Sequence, residues 1–213
     1  MNRFVDAAAN GIMEAISNHC RSSRKSCWYG EPREQRSPWH APEYMFTVSI
    51  YREITKLKDP PYADMEDPVE AAIWDAGGWG GGRIPAAARR GGGFDNRFDI
   101  VLSNKAHQPF AIIEAKRAAG PSGVRSDAER ICAVLNRPTP TIKWGMLALV
   151  VPGQDAEGNV GLLEHRIELF GNTVPTYVGD WNVSRSVRKT EEDGNSRRYA
   201  AMVFKIGPRR SRS

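Results

Sequence analysis

The stretch 94–117, FDNRFDIVLSNKAHQPFAIIEAKR, constrains this chain more than any other. Two short apolar runs, RFDIVL and FAIIEAK, are joined by a polar seven-residue connection. Runs of this length and composition read as buried strands, and a turn near Ala106 makes them a hairpin. Asp99 then falls opposite position 113 or 114. Glu114 and Lys116, two residues apart, share one face of their strand. Asp99, Glu114 and Lys116 therefore converge on one patch. Burying unpaired carboxylates is costly, and Lys116 can neutralise only one of the two. A divalent metal would compensate the other, and hard oxygen ligands favour Mg²⁺ or Mn²⁺ over zinc. The competing reading is a Glu114–Lys116 ion pair at a sheet edge, with Asp99 solvated at a strand start. Against it, the chain holds one [DE]-x-K, and it lies on the apolar strand that faces the acidic one.

The remaining chain supplies elements to cover such a hairpin. Residues 2–19 carry Phe4, Val5, Ala8, Ile12, Ala15 and Ile16 at helical spacing. Residues 21–43 are polar, basic and Pro-containing and read as a long loop. A second helix is expected from Pro42 to Leu57, with Tyr44, Val48, Tyr51 and Leu57 as its apolar stripe. KDPPYADMEDP breaks that pattern, and Asp67-Pro68 reads as the N-cap and first residue of a short helix. Residues 77–93 hold eight glycines in seventeen positions, with Arg83, Arg89 and Arg90. They read as a surface insertion or a basic flap beside a nucleic-acid groove, and they lack the pattern of a phosphate-binding P-loop. Residues 122–136 form a helix with Ala128, Ile131, Cys132 and Leu135 on one face, and WGMLALVV (144–151) is a fully buried strand. VGLLEHRIELF is helical, and TVPTYVG and RYAAMVFKIG are later strands. The order α, α, β, β, α, β, α, β, β predicts an α/β protein with a central mixed sheet flanked by helices.

At 213 residues the chain suits one domain with a core at about 42–180, preceded by a helix and basic loop over 1–41. The formal net charge is +5. Residues 183–213 hold nine Lys/Arg against three Asp/Glu, a local +6, so the remainder sums to −1. That segment reads as a solvated basic tail, disordered from 205, or as an arm that attracts phosphates. Three cysteines without framework spacing, no long apolar run and no secretory pattern give the expectation of a soluble, cytoplasmic protein with no membrane partner.

The pattern helix, strand with Asp99, strand with IIE114-A-K116, helix, strand resembles the PD-(D/E)xK nuclease superfamily across residues 42–151. The resemblance implies a restriction-endonuclease-like core in the order α-β-β-β-α-β. It also implies Mg²⁺- or Mn²⁺-dependent hydrolysis of nucleic-acid phosphodiesters, with DNA as the expected partner, and a place in bacterial or phage defence or in repair. Asp99 and Glu114 would be metal ligands, the Ala115 carbonyl a backbone ligand, and Lys116 the catalytic lysine. An added acidic ligand from the preceding helix would be Glu43, with Glu53 as runner-up. Phe98 stands where the family often has Pro. Arg130 and Arg125 on the next helix would contact phosphate, although Asp127 and Arg130 at i,i+3 read equally as a surface ion pair. A double-strand cutter would need two sites, hence a homodimer or a partner protein. A non-catalytic nucleic-acid-binding or scaffolding protein that keeps the fold is the alternative.

Other candidates carry less. His19, Cys20 and Cys27 lack the spacing of a zinc site. His107 lies at the far end of the hairpin, and His165 reads as a partly buried helix residue. Trp28, Tyr29 and Trp39 would stack on bases or anchor their loop.

Overall fold

The computed structural model describes residues 1–25, 42–77, 97–117, 120–136, 141–153, 163–174, 177–178, 181–189 and 199–208. The helices are α1 (Asn2–Lys25), α2 (Glu43–Thr55), α3 (Val69–Asp75), α4 (Pro121–Leu135) and α5 (Leu163–Thr173). The strands are β1 (Tyr62–Pro68), β2 (Arg97–Ser103), β3 (Pro109–Arg117), β4 (Trp144–Pro152), β5 (Tyr177–Val178), β6 (Trp181–Lys189) and β7 (Tyr199–Pro208). One seven-stranded sheet runs β1-β2-β3-β4-β7-β6-β5. It is mixed: β3 and β4 are parallel, linked by the α4 crossover, and every other neighbouring pair is antiparallel.

The helices sort to two faces because alternate strand residues point to opposite sides. Ile100, Leu102, Ala111, Ile113, Met146 and Ala148 pack with α1 and α2 on one side. Val101, Ile112, Leu147 and Leu149 pack with α3, α4 and α5 on the other. β4 is buried along its length after Trp144, as its unbroken apolar run predicts. Two close approaches fix the helices. A Cβ on Gly11 of α1 would lie 2.5 Å from Cα of Ile50 in α2, and one on Gly145 of β4 would lie 2.1 Å from Cγ2 of Ile131 in α4. Among the described residues no helix is long and apolar enough to cross a membrane.

Several expectations change. The stretch read as a break holds β1, an edge strand whose exposed pattern lacks the alternation that marks a half-buried strand. Asp67 and Pro68 close that strand, and α3 begins at Val69. β6 lies in the segment read as a basic tail, and its Val183 is buried. Pairing of β7 with both β4 and β6 carries the strand to Pro208, so residues 205–208 are sheet and not tail. Residues 209–213 lie outside the described residues. α1 extends to Lys25, into the expected loop. α2 buries Phe46, Ile50 and Ile54 with Thr47 and Ser49, while Tyr44, assigned to its apolar stripe, is 66% exposed. His165 is exposed, because α5 turns Leu163 and Phe170 inward instead.

Candidate active site

The hairpin closes at 104–108, where the Asn104 side chain accepts from the backbone N–H of Ala106 and Gln108. Ile100 pairs with Ile113, which brings Asp99 opposite Glu114. Asp99 marks the point where side-chain bonding takes over from the ladder: its Oδ2 accepts from the Ala115 N–H at 2.6 Å. In a strand the N–H and C=O of one residue face the same edge, so the Ala115 carbonyl is directed toward the same gap.

Glu114 is the unusual group. It is 1% exposed. Arg130 Nη2 donates to its Oε2 at 2.8 Å, and its Oε1 has no hydrogen-bond partner. Burial is the main cause that pushes its carboxyl up to about 8, against the pull of Arg130 and Lys116 and with the push of Asp99. Asp99 is also raised by burial, opposed by the Ala115 N–H and by Lys116. Asp127 of α4 is raised by burial against the pull of Arg130.

Glu43 reaches the site from the first turn of α2. Its Oε1 accepts from the Arg117 N–H at 3.2 Å, and its Oε2 stands 3.7 Å from Lys116 Nζ. A glutamate at a helix start is favoured by the helix dipole, and here it bridges α2 to the end of β3. Glu53 is elsewhere. It pairs with Lys56 at the other end of α2, so of the two acids it is Glu43 that lies beside Lys116.

The structure thus brings together Asp99, Glu114, Ala115, Lys116, Glu43 and Arg130. Arg130 does more than the surface pair expected of it, because it reaches 3.4 Å to Asp127 and also holds the buried Glu114. Arg125 bonds to Glu129 on the exposed side of α4, at i,i+4. His107 stacks on Tyr62 at the opposite end of the hairpin, as the register required. Arg89, Arg90, Cys27, Trp28, Tyr29 and Trp39 lie outside the described residues, as do the side chains of His19 and Cys20. Sequence reading missed Asp127 and Glu66 as neighbours of these acids. The signal for Asp127 was its helical spacing with Arg130. Glu66 gave none, because β1 was not read as a strand.

Five carboxyls, Glu43, Glu66, Asp99, Glu114 and Asp127, act on one another here against the cations Lys116 and Arg130. Carboxylates that outnumber their cations in a partly buried place fit a hard divalent cation. Among the described residues no three acidic, histidine or cysteine side chains close on a single point as they stand. Asp99, the unpartnered Oε1 of Glu114 and the Ala115 carbonyl are the oxygens that fit such an ion. In comparisons with known proteins the chain matches no family model, no curated protein and no solved structure.

Proposed function

We propose that the chain is a metal-dependent nuclease that hydrolyses nucleic-acid phosphodiesters, with DNA as substrate and Mg²⁺ or Mn²⁺ as cofactor. One observation carries the reading. A buried glutamate with a free carboxylate oxygen faces Asp99, and Lys116 follows two residues along the same strand face. With the short α3 between β1 and β2 set aside, the run α2-β1-β2-β3-α4-β4 follows the α-β-β-β-α-β order that the PD-(D/E)xK resemblance implies, which supports a restriction-endonuclease-like core.

Asp99, Glu114 and the Ala115 carbonyl would hold the ion. When bound, it would polarise the phosphoryl oxygens and lower the pKa of a coordinated water. Lys116 Nζ lies beside Glu43, partly open to solvent, where it would stabilise negative charge that grows on the reacting group. Glu43 orients that lysine through its contact with Nζ, and its bond to the Arg117 N–H fixes the strand end. In this reading Arg130 and Arg125 of α4 would contact phosphate, as would Arg89 and Arg90, which lie outside the described residues. A homodimer or partner protein would supply the second site for double-strand cutting. The cytoplasm is the setting the composition suggests, and work in defence or repair is what the resemblance implies.

A second reading has its own observation. Arg130 already pairs with Glu114, as a scaffold that keeps the fold without catalysis would need. Thermal melting with Mg²⁺ or Mn²⁺ separates the two. Stabilisation by metal that vanishes in Asp99→Ala is the nuclease outcome. No shift in the wild type is the outcome for a nucleic-acid-binding scaffold.

A further inference from the structure

The β1–β2 ladder is interrupted beside the acids. Met65 pairs with Ile100 and Asp67 with Phe98, so Glu66 stands opposite Asp99. Asp99 in turn stands opposite Glu114. Three adjacent strands therefore carry one acid each at neighbouring backbone positions, the strands being about 5 Å apart. These positions run from a buried end to an open one. Glu114 is buried with Oε1 unpartnered, whereas Glu66 is exposed on the edge strand.

Glu66 also has a φ of 57°, a left-handed conformation that a non-glycine residue rarely adopts within a strand. Its charge acts on Asp99 across the strand pair, and the Lys116 cation acts on the same carboxyl in the opposite sense. An exposed, strained glutamate beside a carboxylate already short of cations serves no packing purpose. It does suit a hard cation that takes carboxylate oxygens and keeps some of its water, since the sheet edge leaves that side open.

We infer that Glu66 is a cation ligand, closing the β1 side of the site with Asp99 around a divalent ion. The inference rests on the reading of Asp99 and Glu114 as a cation site, and it adds a residue that neither the motif nor its spacing indicated.

The test is a Mn²⁺ titration of the full chain, followed by electron paramagnetic resonance of the free ion. Wild type, Asp99→Ala, Glu66→Gln and Glu66→Gly would be compared, each first checked for a metal-free melting transition. The glycine variant accepts the left-handed backbone without strain, so it separates loss of a ligand from loss of fold. The expected result is that an ion lost in Asp99→Ala binds at least tenfold more weakly in both Glu66 variants. Wild-type affinity in both, with loss in Asp99→Ala, overturns the role of Glu66 and leaves the proposed function standing. A wild type that binds no Mn²⁺ overturns both.

Discussion

The Arg130 guanidinium lies 2.8 Å from the buried Oε2 of Glu114 and 3.4 Å from Oδ1 of Asp127. One cation from α4 thus holds the central acid of β3, and α4 is itself seated on β4 through the Gly145–Ile131 contact. The position of the site depends on that packing as much as on its own residues.

Removing the cation should leave Glu114 buried without a counter-charge. Breaking a buried pair costs about 3–5 kcal/mol, and the partial exposure of Arg130 places Arg130→Met toward the lower end. The loss should shrink below pH 6, where the Glu114 carboxyl, raised to about 8, already holds its proton. Urea unfolding of the variant at pH 5.5 and 9, beside wild type, measures the difference. Equal losses at both values would remove the electrostatic explanation.

Stability of the metal-free protein should itself depend on pH. The folded carboxyl of Glu114 titrates near 8, above its ordinary value of 4.5. Between those values the folded state keeps a proton that the unfolded chain has released, so stability falls as pH rises through the window. Asp99 and Asp127, raised by burial, add to the fall in the same direction. Glu114→Gln should flatten the curve from pH 5 to 8. A wild-type melting temperature that rises over this range would contradict the assignment.

Glu43 is expected to act on Lys116 and the strand end. Glu43→Gln keeps an acceptor for the Arg117 N–H and removes the charge beside Lys116 Nζ, so folding stability should change by less than about 1 kcal/mol while cleavage falls. Glu43→Ala also removes the acceptor and should lose about 1 kcal/mol more. Denaturant midpoints and cleavage rates of the two variants separate these contributions.

Gly145→Ala tests the seating of α4. The added methyl would meet Ile131 Cγ2, adjacent to Arg130 in sequence, and should destabilise the fold by about 1–3 kcal/mol. Gly145→Ala combined with Ile131→Ala, which removes Cγ2 itself, should recover part of that loss relative to the sum of the two single changes. No recovery would place the strain elsewhere.

The centre of this molecule was legible because it is coded locally. The β2–β3 hairpin follows from two apolar runs and a polar turn, and its register alone brings Asp99 to Glu114. β4 announced itself by an unbroken apolar run. β1 and β6 did not, for a shared physical reason. Both lie toward the edges of the sheet, where much of a strand faces solvent, so their own side chains stay largely polar and exposed. Missing β1 hid Glu66. The role of Arg130 was hidden differently, since helical spacing ties it to Asp127 but says nothing of which strand the helix covers. Glu43 and Glu53 were indistinguishable by composition, and the direction of α2 across the sheet separates them.

The most direct measurement is cleavage of supercoiled plasmid and of single-stranded circular DNA with Mg²⁺, with Mn²⁺ and with EDTA, comparing wild type with Lys116→Ala. The account predicts metal-dependent products from wild type, none with EDTA, and their loss in a Lys116→Ala protein that melts like the wild type. Intact DNA in every wild-type lane, or equal cleavage by the variant, would contradict it.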